Sequence, residues 1–167
     1  IPQADRDLKA GEWNRSRWEG VELNGKTLGV VGLGRVGVLV AQRLLAFGMQ
    51  LLAYDPYVSA DRARQLGVRL VPDLADLVRE SDFITVHLPK TPETLGLIDA
   101  ELLTNAKPTL RIVNTARGGI IDEAALADAL REGRIAGAAL DVFDVEPLPA
   151  DHRLRRLDNV ALTPHVG

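Results

Sequence analysis

Three polar side chains stand where apolar runs of the sequence end, and their types suit proton transfer on a small anionic substrate: Arg117, Glu146 and His165. Arg117 follows Val113-Asn114-Thr115-Ala116 and precedes Gly118-Gly119, so its guanidinium has room for a bidentate grip on a carboxylate. Glu146 closes the segment Leu140-Asp141-Val142-Phe143-Asp144-Val145-Glu146-Pro147, and His165 closes Leu162-Thr163-Pro164-His165. Imidazole exchanges a proton near neutral pH, and a carboxylate beside it holds its tautomer. Taken singly, each of the three is equally an ordinary surface residue. Together they describe a general acid/base with an anion anchor.

A second pattern, Gly32-Leu33-Gly34-Arg35-Val36-Gly37, lies between an apolar run and a helical one. In a strand–turn–helix setting its first glycine permits a tight turn. The second lets backbone approach a pyrophosphate, and the third lets helix and strand pack closely. Asp55 ends the next apolar run, where a carboxylate can accept bonds from adenosine ribose hydroxyls. The hexad alone is weak, because a strand–helix turn can use the same glycines with no ligand; Asp55 at this distance strengthens it. A carboxylate there repels a 2′-phosphate, which favours NAD over NADP. Arg62 and Arg64 lie further along and can swing back, so the preference is not absolute.

These residues need elements to place them. Leu28–Val31, Gln50–Tyr54, Val68–Leu70, Phe83–Val86, Leu110–Val113, Ala138–Leu140 and Val160–Leu162 read as short buried strands. Between them come helical stretches. Val36, Val40, Leu44 and Phe47 recur at helical spacing until Gly48. Ala60–Gln65, a segment capped by Asp73 with Leu74, Leu77 and Val78, Ala100–Leu103, and Glu123–Arg131 with Leu126, Ala129 and Leu130 inward complete the set. Strands alternating with helices predict an α/β fold, a doubly wound parallel sheet of the Rossmann type with helices on both faces. Residues 26–167 form that domain. Residues 1–25 are polar and read as an irregular linker from a substrate-binding domain, docked by Trp13 and Trp18.

With 46% hydrophobic and 26% charged residues the composition is ordinary for a globular protein. A net charge of −3 argues against nucleic acid and anionic membrane surfaces as partners. The one tight basic cluster, Arg153, Arg155 and Arg156, reads as solvated surface. No cysteine is present, which removes disulfides and thiolate sites and fits a reducing cytoplasm. No apolar run reaches the roughly 20 residues of a membrane helix. The sequence opens Ile1-Pro2-Gln3 without methionine or leader pattern, so a piece of a longer protein is expected.

The hexad, Asn114-Thr115-Ala116-Arg117-Gly118-Gly119, Leu140-Asp141-Val142-Phe143 with Glu146-Pro147, and Thr163-Pro164-His165 resemble the D-isomer-specific 2-hydroxyacid dehydrogenases. Val86–Thr94 and Gly137–Asp141 strengthen a narrower match to one branch of that family. The resemblance runs from about Gln3 to Gly167. It implies that Arg117 binds the carboxylate and carbonyl oxygen of a small 2-hydroxy acid, and that His165 exchanges the hydroxyl proton with Glu146 as partner. It implies that Gly32, Gly34, Arg35, Val36 and Gly37 meet the NAD pyrophosphate and that Asp55 meets the ribose. Leu88, Thr115 and Ala116 line the cleft, Asp141 holds the nicotinamide carboxamide, and Arg117, His165 and Gly167 also border the cofactor. No metal is implied, and a homodimer is. His87 reads as a strand-end histidine bonded to backbone. Thr109 and Arg153 depart from the family's usual glycine and proline, which affects local geometry only. Two alternatives stay open: a dehydrogenase for another acid such as lactate, glyoxylate or hydroxypyruvate, and an NAD-sensing module like the corepressors that resemble these enzymes. A protein using an adenosyl cofactor leaves Arg117, Glu146 and His165 unexplained.

Overall fold

Short runs of Val, Ile, Leu and Ala punctuated by glycine can bury both faces only inside a sheet covered on both sides. A computed structural model describing residues 2–167 has that arrangement. Its strands are β1 (Thr27–Val31), β2 (Gln50–Tyr54), β3 (Arg69–Leu70), β4 (Phe83–Val86), β5 (Arg111–Asn114), β6 (Gly137–Leu140) and β7 (Val160–Leu162). They form one sheet in the order β3-β2-β1-β4-β5-β6-β7, and every pairing is parallel. The order reverses beside β1, which opens a crevice beyond the carboxyl ends of β1 and β4.

Helices α1 (Pro2–Lys9), α2 (Arg35–Leu45), α3 (Ala60–Gln65), α4 (Leu74–Glu80), α5 (Ala100–Thr104) and α6 (Glu123–Arg131) connect and cover the strands. Leu28 and Val30 of β1 pack with Ala41, Ala53, Ala63 and Val68 on the side of α2 and α3. Val31 packs with Leu77, Val78, Leu103, Leu126 and Leu130 on the side of α4, α5 and α6. Side chains alternate across the pleat, so one strand feeds both layers. Aspartates cap three of the helices: Asp73 accepts the Ala75 N–H at 2.8 Å, Asp99 that of Leu102 at 2.9 Å, and Asp122 those of Ala124 and Ala125. Asp82 accepts the Thr27 N–H at 2.9 Å and pairs with Lys107 at 3.0 Å, pinning the starts of β1 and β4 together.

The element boundaries match the sequence expectation closely, with three differences. On α2 the buried residues are Gly37 and Ala41, while Val36 and Phe47 are exposed. The two smallest residues of the helix make its close contact with β1, and Val38 and Leu44 pack half-buried beside them. The N-terminal stretch is not irregular: Pro2–Lys9 is helical, and Gln3 Nε2 donates to the Asp158 carbonyl at 2.8 Å. Trp18 donates to Asp7 at 3.0 Å, a bond inside residues 1–25, and Trp13 is 80% exposed, so the bond that ties this stretch to the domain is that of Gln3 and not one from either tryptophan. The arginine cluster is exposed, as expected, and two of its members have partners there. Arg153 pairs with Asp128 at 3.5 Å, and Arg155 grips the carbonyls of Leu148 and Pro149 at 2.8 and 2.9 Å. At the Lys107–Leu110 turn the Leu110 N–H reaches the Lys107 carbonyl at 2.9 Å, and Thr109 needs no left-handed backbone to close it.

Two outcomes follow. A Cβ on Gly37 would lie 2.0 Å from the Gly32 carbonyl oxygen. Gly37→Ala therefore lowers the unfolding free energy by about 1–3 kcal/mol or more in urea titration, the range of an overpacked core. Burial pushes the Asp82 carboxyl up, but the Thr27 N–H and the Lys107 ammonium outweigh it and hold the group below the usual carboxylate range. A depressed folded-state value adds stability above the unfolded carboxylate range, and that stability is lost as pH falls through the folded value. Asp82→Asn thus lowers the melting temperature at neutral pH and flattens the acid limb below about pH 4, read by thermal melts across pH.

Candidate active site at the carboxyl edge of the sheet

Parallel pairing places Tyr54, Val31, Val86, Asn114, Leu140 and Leu162 in one hydrogen-bonded row across β2, β1, β4, β5, β6 and β7. At the usual inter-strand spacing the row spans roughly 24 Å. Asp55, Gly32, His87, Leu88, Thr115, Asp141 and Thr163 follow it immediately, so the sequence-predicted residues gather along one edge.

Gly32 leaves β1 with φ +95°, and a Cβ on it would lie 2.8 Å from the His87 carbonyl oxygen. Gly34 begins α2, and nothing lies within 4 Å of where its Cβ would stand. The first N–H groups of α2, those of Arg35 and Val36 included, have no carbonyl one turn earlier to accept them. Such N–H groups and the helix dipole favour an anion. Asp55 accepts the Leu33 N–H at 2.8 Å and the Tyr57 N–H at 2.9 Å, so it ties the glycine turn to the end of β2. Two carboxylate oxygens accept more than two bonds, so Asp55 keeps acceptor capacity beyond these. Arg64 is paired with Asp61 at 2.5 Å. Leu88 packs partly buried against the core beside Gly32.

At the other end, Glu146 and His165 meet: Oε2 and Nδ1 are 2.8 Å apart. Glu146 Oε1 also accepts the Phe143 N–H at 2.9 Å. The His165 contact, then the Phe143 N–H, hold the Glu146 carboxyl below its ordinary range. His165 has φ +54°, and among the described residues it is the one non-glycine residue with a positive φ. That conformation costs energy unless its surroundings impose it. Asp141, 4% exposed, does so. It accepts the Thr163 hydroxyl at 2.5 Å, the Val166 N–H at 3.0 Å and the Gly167 N–H at 2.8 Å. Those bonds, the hydroxyl first, hold its carboxyl low. They also grip the chain on both sides of His165.

Arg117 is brought to the same edge but touches neither Glu146 nor His165; its Nη1 donates to the Ala116 carbonyl at 2.6 Å. Its loop is shaped by Asn114, 2% exposed, whose amide donates to the Arg117 carbonyl at 2.9 Å and accepts the Ala116 N–H at 3.0 Å. Gly118 lets that loop run against the segment that follows β6: a Cβ there would lie 1.8 Å from the Phe143 carbonyl oxygen. Thr115 is exposed and Ala116 half-buried beside it. Asn114 and Thr163 lie within the segments quoted above, yet residue types alone do not assign them. A polar residue inside an apolar strand is the signal that finds Asn114. His87, expected to bond backbone, instead meets the Thr85 hydroxyl with its ring at 2.9 Å, since residues two apart in extended chain project to the same side. Burial lowers the His87 imidazole pKa. The described residues hold no cluster of three metal-binding side chains and no helix long and apolar enough to cross a membrane.

With this geometry in place, the likeness to known proteins has specific content. The model of the D-isomer specific 2-hydroxyacid dehydrogenase, NAD binding domain, matches residues 1–167. D-3-phosphoglycerate dehydrogenases of Mycobacterium tuberculosis and Archaeoglobus fulgidus are 58% and 54% identical over 167 residues, all of this chain and 31% and 32% of theirs. The chain thus spans about a third of the length of the curated relatives it matches. A solved formate dehydrogenase of Granulicella superposes with a TM-score of 0.92 at 30% identity, covering 98% of this chain and 44% of that one. The chain belongs to the NAD-binding domain of the D-isomer specific 2-hydroxyacid dehydrogenases.

Proposed function

We propose that this chain binds NAD and carries the acid–base pair of a dehydrogenase that oxidises the 2-hydroxyl of a D-2-hydroxy acid, and that the acid is D-3-phosphoglycerate. The observation that carries the reading is the 2.8 Å contact of His165 with Glu146 at the edge that also holds the glycine turn. The choice of acid rests on the 58% and 54% identity to relatives of that name. A role in serine biosynthesis, a cytoplasmic setting and a homodimer go with it; the lack of cysteine fits the setting.

The residues present fit the cofactor. The open space at Gly34 and the unpaired N–H groups of α2 suit a pyrophosphate, held by Gly32, Gly34, Arg35, Val36 and Gly37. Asp55 takes the ribose, Leu88, Thr115 and Ala116 line the cleft, and Asp141 with Gly167 borders the carboxamide. When bound, NAD supplies the carbon that accepts hydride. Because Nδ1 of His165 is engaged by Glu146, Nε2 is the atom left to take the hydroxyl proton. Glu146, held ionised, balances the imidazolium that results. Arg117 anchors the substrate carboxylate and steadies charge on the carbonyl oxygen.

Two measurements test this. In calorimetric titration the chain binds NAD more tightly than NADP, and Gly34→Val weakens NAD by about tenfold or more, about 1.4 kcal/mol. Equal affinity for both cofactors, or none for either, contradicts the site. Extended to the length of its relatives, the protein reduces NAD with 3-phosphoglycerate and not with unphosphorylated acids. In that form His165→Ala cuts turnover by about 10²–10⁴-fold with NAD affinity nearly intact. Turnover that survives the substitution removes His165 from the mechanism.

A further inference from the structure

Glu146 sits on an exposed loop, residues 144–147, that has no apolar packing of its own to fix it. Its side chain is 37% exposed, yet it must present one oxygen to His165 and the other to the Phe143 N–H. Other side chains hold that loop. Glu123, at the first turn of α6 and only 14% exposed, accepts the Asp144 N–H with Oε1 at 2.7 Å and faces His152 Nε2 with Oε2 at 3.2 Å. His152 Nδ1 accepts the Leu154 N–H at 3.4 Å, which leaves the ring proton on Nε2, toward Glu123. Lys90 pairs with the Asp144 carboxylate at 3.0 Å, and Arg155 holds the carbonyls of Leu148 and Pro149. Of these, Glu123 alone ties the start of the loop to the segment beyond it, one carboxylate oxygen at residue 144 and the other at residue 152.

We infer that Glu123 is a positioning residue for the Glu146–His165 pair, acting through its bond to the Asp144 N–H. The inference rests on the reading of that pair as the acid–base centre, but its geometry stands apart from it. Asp144 lies one residue after Phe143, whose N–H orients Glu146, and two residues before Glu146 itself. A carboxylate on a rigid helix start thereby fixes the backbone from which Glu146 projects. Glu123 touches neither substrate nor cofactor; it sets the angle and distance at which Glu146 meets His165. The α6 N-terminus is itself anchored by Asp122 and by the pairing of Ile98 with Ile121, so the support is stiff.

The test is the titration of the Glu146 carboxyl in this chain by carbon-detected NMR, with Asp82 as internal reference. Both groups sit below their ordinary range for local reasons, Glu146 through His165 and the Phe143 N–H, Asp82 through Thr27 and Lys107 on the far side of the sheet. The other charged groups near Glu146 are Asp141 and Arg155. Glu123→Ala raises the Glu146 midpoint by about half a pH unit or more and leaves that of Asp82 in place. Glu123→Gln, whose amide oxygen still accepts the Asp144 N–H although its NH2 group now faces the His152 Nε2 proton, recovers part of the difference. Should the alanine variant not fold, Glu123→Asp, one methylene too short for both partners, is read in the same way. An unchanged Glu146 midpoint overturns the inference, as does a joint movement of Glu146 and Asp82, which marks general loosening. A glutamine variant that behaves like alanine overturns it too. Failure of the dehydrogenase reading shows separately, as turnover that survives His165→Ala.

Discussion

Six residues, Tyr54, Val31, Val86, Asn114, Leu140 and Leu162, lie in register across six parallel strands, and the chain leaves each strand in the same direction. Parallel hydrogen bonding permits no other outcome: once the register is set, every strand delivers its next residues to one edge. Segments more than a hundred positions apart in sequence thereby meet without any segment reaching for another. Gly32 and Asp55 come from the first two strands, Arg117 from the fifth, and Asp141, Glu146 and His165 from the loops after the sixth and seventh. The edge is assembled by backbone pairing before any side chain contributes.

What side chains add is precision, and they add it through buried or half-buried polar groups at the edge. Asn114 folds the Arg117 loop back on itself, Asp141 gathers three donors from around His165, and Asp55 ties the glycine turn to β2. Each replaces water with fixed partners, and leaving such a group unpaired costs about 1–3 kcal/mol. The left-handed backbone at His165 persists because the Asp141 bonds on its far side leave it little alternative. Close packing works in the same direction. Gly37 and Gly118 bring backbone within contact of Gly32 and Phe143, where any side chain would push the loops apart.

The separation of the glycine turn from the Glu146–His165 pair follows from the same layout. The helix N-terminus of α2 and Asp55 lie toward one side of the row, and the Glu146–His165 pair toward the other. β4 and β5 lie between them in the sheet. Solved proteins with this architecture include formate and D-mandelate dehydrogenases, so the fold by itself does not name the acid.

Much of this was legible in the residues alone. Alternating apolar runs and glycines specify strands, turns and the parallel sheet because burial and φ > 0 are local demands that particular residue types meet. The glycine hexad, Asp55, Arg117, Glu146 and His165 were visible as types standing at strand ends. Less was legible where the answer depends on what lies opposite. The exposure of Val36 and Phe47 is decided by how closely Gly37 and Ala41 bring α2 to β1, and helical periodicity does not carry that distance. The N-terminal helix rests on a contact with Asp158, distant in sequence. The supports provided by Asn114, Glu123, Arg155 and Thr163 are hydrogen bonds between loops, which spacing along the chain does not encode. Sequence by itself determined which elements form and which chemical groups stand at their ends, because those follow from local burial and backbone freedom. Only the tertiary structure decided which groups touch, because a 2.8 Å contact between residues 146 and 165 exists only after strand register and loop anchoring have fixed both backbones.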